Sequence, residues 1–105
     1  GLDPKALYAN LDAMIERLRR AGKKAMLAGM LAPPNMGPAY EAEFNNVYPA
    51  LARKHELVLY PFFLDGVAAN PALNQPDGLH PTAEGIAVIV DRIMPYVLRW
   101  LGNGK

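Results

Sequence analysis

The order of helical and extended segments predicts that the chain has an α/β fold. Three segments carry apolar residues at helical spacing, and two short, continuously apolar segments lie between them. An apolar run without alternation is typical of a strand that is covered on both faces. Because strand–helix–strand connections within one sheet are right-handed crossovers, we expect the two strands to lie parallel. The sequence therefore predicts an α/β fold with a parallel sheet.

The first helix is predicted over roughly residues 4–21, since Asp3 before Pro4 is a helix-start signature and a glycine follows the last apolar position. Glu16 and Arg20 can pair on its solvent side for little energy. Its apolar stripe is expected to lie on the sheet and consists of Leu7, Leu11, Met14, Ile15 and Leu18.

The two predicted strands are Lys24–Met30 and Leu57–Tyr60. A loop over residues 31–37 follows the first strand, because its prolines and glycine exclude both helix and ladder. A second helix follows, and Pro49 is expected to kink it. Its apolar stripe consists of Tyr40, Phe44, Val47, Tyr48 and Leu51.

Both loops that leave the carboxyl ends of these strands carry apolar side chains. Open α/β sheets place their ligands at this edge, so the side chains could line a pocket. The alternatives are a plain connector for the first loop and simple core for the aromatic residues of the second. The candidate pocket residues are Leu31, Pro33, Met36, Phe62 and Phe63.

A turn-rich stretch, 70–77, precedes the last helix, which is predicted to end near Gly102 and to bend at Pro95. The apolar stripe of this helix consists of Ile86, Ile89, Val90, Ile93, Val97 and Leu101.

A carboxylate stands three residues before an imidazole at the start of that helix. In serine hydrolases a histidine takes the proton of the nucleophile while a carboxylate orients the ring, and Asp77 and His80 could play those roles. A tight turn at Gly78 would bring them together, and Pro81 can occupy the first helical turn. The alternative is a helix cap with a solvent-facing histidine, and Thr82 is expected to serve the helix start.

The nine residues from Asp77 to Gly85 resemble the last sequence block of the SGNH (GDSL-type) hydrolases, in which an Asp-x-x-His pair completes a Ser-His-Asp triad. Segments 27–30, 40–49 and 59–63 are similar to the second half of the arylesterase, thioesterase and lysophospholipase members. The resemblance implies a three-layer α/β/α, flavodoxin-like fold and catalytic roles for Asp77 and His80. It also implies an acyl ester or thioester substrate, an acyl pocket formed by the five loop residues, and no cofactor or metal.

The nucleophile and oxyanion blocks of that family have no counterpart here. The sequence contains no serine and no cysteine, and its single threonine is Thr82. Residues 1–4 resemble the segment directly after the family's asparagine-bearing oxyanion block. We therefore expect residues 1–105 to be the C-terminal half of a single SGNH domain, inactive alone and completed by its missing N-terminal half. The alternative is a non-catalytic fragment that self-associates or pairs with a complementary chain.

Composition excludes several other functions. A net charge of +1 gives no reason to expect an acidic polymer such as nucleic acid as partner, because nucleic-acid binders usually show a basic stripe. No apolar run is long enough to span a membrane. The cationic residues near the end of the first helix suit its dipole better than they suit phosphate: Arg17, Arg19, Arg20, Lys23 and Lys24. Without cysteine there is no disulfide or thiolate metal site, and a metal set of Asp77, His80 and His55 is weakly supported.

Overall fold

The predicted order of helices and strands is confirmed by the structure, a computed structural model that describes residues 3–102. The two strands pair in parallel, with Leu27 opposite Leu59 and Ala28 opposite Tyr60. The elements in chain order are α1 (Pro4–Arg20), β1 (Leu27–Ala28), a 3-10 turn (Pro34–Met36), α2 (Pro38–His55), β2 (Leu59–Tyr60), a second 3-10 turn (Pro71–Leu73) and α3 (Ala83–Gly102).

The helices lie on two sides of the strand pair. Helix α1 packs on α2, and α2 contacts both strands. Helix α3 contacts β2 but, within residues 3–102, neither α1 nor α2. The rings of Tyr60 and Tyr96 join α3 to β2, with centroids 4.9 Å apart. The chain therefore forms the three α/β/α layers of the predicted fold.

The strands are shorter than the apolar runs that predicted them. The amides of Leu27 and Gly29 donate to the carbonyls of Val58 and Tyr60, at 2.9 and 2.8 Å. Pro61, which has no amide hydrogen to donate, then ends β2. Residues 24–26 precede the paired part of the run and lie outside the ladder. An apolar run thus predicts buried extended chain, but a ladder forms only where a neighbouring strand offers backbone groups to pair with.

The core lies between α1, α2 and the strands, and it is formed by Ile15, Leu27, Val47, Leu51 and Ala52. The expectation that the α1 stripe lies on the sheet is wrong for most of its length, because two-residue strands offer little surface and α1 packs mainly on α2. Met14 and Leu18 are exposed.

The prolines inside α2 and α3 do not end these helices. Helix α2 continues from Pro38 through Pro49 to His55, and α3 continues through Pro95. The amide that each proline lacks removes one backbone hydrogen bond, which the neighbouring turns tolerate. None of the described helices has a stretch long and apolar enough to cross a membrane.

Most of the apolar stripe predicted for α3 is not buried. Within this stripe only Ile89 is buried, whereas Ile86, Val90 and Leu101 are exposed. Met94 and Leu98 extend the exposed row along the same helix. Helix α3 thus has one side against β2 and an apolar side that the described residues leave uncovered.

Candidate active site

The Asp77–His80 pair lies on a short hairpin between the second 3-10 turn and α3. Asn74 and Pro81 form an antiparallel bridge. Beside it, the amide of Gln75 donates to the carbonyl of His80 at 2.8 Å, and that of Thr82 to the carbonyl of Leu73 at 2.9 Å. Residues 73–75 and 80–82 therefore run antiparallel and present residues 76–79 as a tip. We call residues 73–82 the dyad hairpin.

The tip folds as the sequence predicted. Gly78 has a φ of +71°, a left-handed conformation that favours glycine, and its amide donates to the carbonyl of Gln75 at 2.9 Å. The Oδ1 atom of Asp77 accepts the amides of Leu79 and His80, at 2.9 and 3.1 Å. This local capture of two amides leaves the other carboxylate oxygen of Asp77 directed at the imidazole.

The Oδ2 atom of Asp77 lies 2.6 Å from Nδ1 of His80. Hydrogen bonds from the His80 ring and then from the amides of Leu79 and His80 lower the pKa of Asp77 to about 2 from an ordinary 3.8. The carboxylate is therefore ionised at neutral pH, and it fixes the proton of a neutral ring on Nδ1. Both side chains face solvent, His80 being 73 % and Asp77 42 % exposed.

This arrangement leaves Nε2 of His80 available as a base. No hydrogen bond joins Nε2 to another residue in the described part of the chain. A neutral imidazole with its proton on Nδ1 carries a lone pair on Nε2. The site can therefore accept a proton from a hydroxyl group, and the ionised carboxylate can stabilise the imidazolium that results.

At the start of α3, the role predicted for Thr82 is confirmed and the position predicted for Pro81 is wrong. Thr82 caps the helix as predicted, its Oγ1 accepting the amide of Gly85 at 3.1 Å. Pro81 lies outside the helix, in the bridge with Asn74. The fixed φ of proline also suits extended chain, and the missing amide costs nothing at this edge position.

The five candidate pocket residues follow the carboxyl ends of β1 and β2, as the sequence indicated. The amide of Phe63 donates to the carbonyl of Gly29 at 2.8 Å, so the two loops meet where they leave the strands. Phe62 is half-buried, and the other four, Leu31, Pro33, Met36 and Phe63, are exposed. These loops thus form an open apolar surface rather than a closed core.

Two of the cavities in the described part of the chain lie at opposite ends of the strands. One of about 430 Å³ borders the dyad hairpin and is lined by residues that include Asn70, Asn74 and Gly78. A larger one, about 930 Å³, lies at the opposite ends of the strands, beside Lys24 and Val58. Ligands in open α/β sheets bind at the carboxyl edge, so the larger cavity is not where the fold places a substrate.

A second aspartate–histidine pair, which the sequence analysis missed, joins α1 to α2. The Nε2 atom of His55 lies 2.6 Å from Oδ1 of Asp12, and Nδ1 lies 3.4 Å from Oε1 of Glu16. The expected Glu16–Arg20 ion pair is absent, since Arg20 donates instead to the backbone carbonyl of Glu16 at 3.4 Å. The positions of Asp12 and Glu16, four residues apart on one helix, were the signal available in the sequence.

This second pair also corrects the metal alternative. Among residues 3–102, Asp12, Glu16 and His55 are the one group of three potential ligands close enough to share an ion, and they do not include Asp77 or His80. The carboxylates approach opposite nitrogens of the ring, and Lys54 already pairs with Asp12 at 2.9 Å. The cluster therefore has the chemistry of an ion-paired contact between two helices.

Three α/β/α layers with an aspartate–histidine pair beyond a strand are typical of hydrolases that use a Ser-His-Asp triad. Comparison with known proteins supports this class, because the model of the GDSL-like lipase/acylhydrolase family matches residues 1–88. The chain belongs to this family.

Similar proteins include several esterases. The chain is 37 % identical over 95 residues to esterase TesA of Pseudomonas aeruginosa, covering 90 % of the chain and 47 % of that protein. It is 33 % identical to an arylesterase of Vibrio mimicus, and the match covers 96 % of the chain and 50 % of that protein. The structure of the psychrotrophic esterase EstA from Pseudoalteromonas sp. overlays with a TM-score of 0.89 at 27 % identity. The overlay covers 97 % of this chain and 56 % of EstA. The chain thus spans about half the length of these relatives.

Proposed function

We propose that the chain supplies the acid–base part of a serine hydrolase acting on carboxylic esters or thioesters. The observation that carries this proposal is the 2.6 Å contact of Asp77 Oδ2 with His80 Nδ1, which leaves Nε2 free to accept a proton. The family membership and the esterase relatives support the same class of reaction. Because residues 1–105 include no serine, the serine nucleophile of the proposed reaction comes from outside this sequence.

Each proton in the proposed reaction passes through His80. Nε2 takes the proton of the serine hydroxyl as its oxygen attacks the acyl carbon, and it gives that proton to the leaving alcohol or thiol as the bond to the acyl carbon breaks. Water then attacks the acyl-enzyme, again with Nε2 as base, and the serine regains its proton. Asp77 stays ionised throughout and orients the ring.

The apolar loop residues are proposed as the acyl-binding surface. They project from the carboxyl edge of the strands, where α/β folds bind ligands, and their exposure leaves them free to contact an acyl chain. The set is Leu31, Pro33, Met36, Phe62 and Phe63.

The test is a chimera in which this chain replaces the matching half of esterase TesA. We expect the chimera to hydrolyse p-nitrophenyl esters and His80→Ala to abolish turnover. Asp77→Asn should lower kcat on the order of a hundredfold or more, because an amide stabilises the wrong tautomer. The matched control is Asp65→Asn, which neutralises an exposed carboxylate paired with Arg92 and should leave kcat unchanged. Full activity after His80→Ala would contradict the proposal.

A second candidate function is an interaction module. The exposed apolar row of α3 favours association, since burying it removes apolar surface from water. The row consists of Ile86, Val90, Met94, Leu98 and Leu101. The outer edge of β1 has no strand beside it among the described residues. In this role the chain would self-associate or pair with a complementary segment, and the size of the purified particle distinguishes it from a chain that remains a monomer.

A further inference from the structure

Asn74 joins the dyad hairpin to the buried part of the chain. Its Nδ2 group donates to the backbone carbonyl of Val67 at 2.8 Å and to that of Asn70 at 2.9 Å. Val67 is fully buried and follows β2, so the amide connects the hairpin to a fixed position. On its backbone side, Asn74 forms the bridge with Pro81, the residue directly after His80.

The Asp77–His80 pair keeps its geometry only while the tip keeps its turn, in which Asp77 Oδ1 also accepts the amides of Leu79 and His80. Both side chains are exposed, and water competes for exposed ion pairs, so their mutual attraction is weak. The fraction of molecules in which the pair is formed therefore depends on the backbone between Gln75 and His80 keeping its turn. That backbone is closed by the amide of Gln75 on the carbonyl of His80, one residue beyond Asn74.

The two strands of the hairpin are fixed by different means. On the second strand, Thr82, two residues after His80, caps α3. On the first strand, the side chain of Asn74 donates twice to the segment before the hairpin. If this amide were removed, the first strand would lose two hydrogen bonds to that segment, and the tip that sets Asp77 opposite His80 would be held less firmly.

We propose that Asn74 is a positioning residue whose side-chain amide holds the dyad hairpin in the conformation that lets Asp77 orient the His80 imidazole. The importance of this role for hydrolysis rests on the proposed function, whereas the orientation itself is measurable without any reaction. A ring that donates from Nδ1 to a carboxylate carries its proton there, and an unconstrained histidine in water favours the proton on Nε2. The tautomer of His80 thus reports whether Asn74 acts as proposed.

The experiment measures the ring ¹⁵N shifts of His80 in the 105-residue chain at a pH where the ring is neutral, with His80→Ala used to assign the signals. We expect the Nδ1–H form to predominate in the unmodified chain and its ratio to the Nε2–H form to fall roughly fivefold or more in Asn74→Ala, which lacks two hydrogen bonds. Asp77→Asn gives the tautomer ratio expected when His80 has no carboxylate partner. A role in stability alone would lower Tm without changing the tautomer of the folded chain.

The matched control is Asn70→Ala. The Asn70 side chain accepts the amide of Ala72 at 3.0 Å within the 3-10 turn, and its backbone carbonyl remains available to Asn74. This variant should keep the tautomer of the unmodified chain. Equal shifts in Asn70→Ala and Asn74→Ala would overturn the specific role of Asn74.

Two further outcomes overturn the proposal, and they differ in what they imply. An unchanged tautomer in folded Asn74→Ala removes the role of Asn74 and leaves the proposed function intact. An Nε2–H ring in the unmodified chain removes both the positioning role and the acid–base pair of the proposed function. If Asn74→Ala does not fold, the His80 tautomer and the Tm are measured in Asn74→Leu, which roughly keeps the side-chain volume but has no hydrogen-bond donor.

Discussion

The Nε2 atom of His55 lies 2.6 Å from Oδ1 of Asp12, the same separation as that between Nδ1 of His80 and Oδ2 of Asp77. Burial distinguishes the two pairs. The His55 side chain is 1 % exposed and has carboxylates at both ring nitrogens, so it has no free nitrogen for a substrate. The exposed pair is therefore the candidate for catalysis, and the buried pair joins two helices.

Asp12→Asn should lower Tm, because it removes the carboxylate that contacts the buried imidazole of His55 at 2.6 Å and leaves only the longer contact with Glu16. Hydrogen bonds from Lys54 and then His55 lower the pKa of Asp12, so its contribution to stability is present above pH 3.8 and is lost as the pH falls through the lowered value. The variant should consequently lose less stability than the unmodified chain on acidification. Thermal unfolding monitored by circular dichroism at neutral and acid pH measures both effects.

Lys54→Met is the matched control for that variant. It removes the half-exposed ion pair with Asp12 but leaves the His55 contact in place, so the fall in Tm should be smaller. A larger fall for Lys54→Met than for Asp12→Asn would contradict the view that the buried imidazole dominates.

The carboxyl group of Asp77 should titrate near pH 2, because the hydrogen bonds from the His80 ring and from two amides stabilise the ionised form. A folded-state pKa below the ordinary 3.8 means that the stabilising effect of Asp77 is complete above that value and is lost as the pH falls toward 2. Side-chain carbonyl ¹³C NMR measures the midpoint. In His80→Ala the midpoint should rise, since the largest cause of the shift is gone, and an unchanged midpoint would show that the ring does not contact the carboxylate.

Alone, the chain should hydrolyse p-nitrophenyl acetate no faster than its His80→Ala variant, because it has no serine to form an acyl-enzyme. The release of p-nitrophenol is followed by absorbance, with free imidazole at equal concentration as the reference for catalysis by an imidazole group alone. A burst of product that depends on His80 would refute this expectation.

Gly85→Ala should destabilise the chain by about 1–3 kcal/mol, because the added Cβ would clash with the backbone carbonyl oxygen of Leu73. An alanine in a helix ordinarily stabilises relative to glycine, so the sign of the effect reports the close approach of α3 to the 3-10 turn. Gly102→Ala, in the same helix with no atom within 4 Å of the added Cβ, should change stability by no more than about 0.5 kcal/mol. Urea unfolding of both variants measures the difference.

Purified chain should form dimers or larger particles, since the exposed apolar row of α3 and the open edge of β1 favour association. Light scattering across a concentration series gives the mass. Val90→Lys with Leu98→Lys, which places charge in the middle of the row, should shift the particle toward monomer. Monodisperse monomer with cooperative unfolding in the unmodified chain would count against this prediction.

Helix positions were largely predictable because their signals are local. Asp3 accepts the amide of Lys5 at 3.0 Å at the start of α1, as its position before Pro4 indicated. Glycine at 78 supplied the left-handed turn that brings Asp77 beneath His80. Both interactions span only a few residues, so the sequence alone contains the information for them.

The sequence by itself determined the α/β order of elements, the acyl-hydrolase resemblance and the short-range Asp77–His80 pair. Only the tertiary structure decided which histidine is buried, how far the strands pair and what fixes the dyad hairpin. Asp12 and His55 are 43 residues apart, and the carbonyl of Val67 that Asn74 binds carries no side-chain signature. Contacts of this kind depend on how helices and loops pack in space, and residue spacing along the chain does not encode that packing.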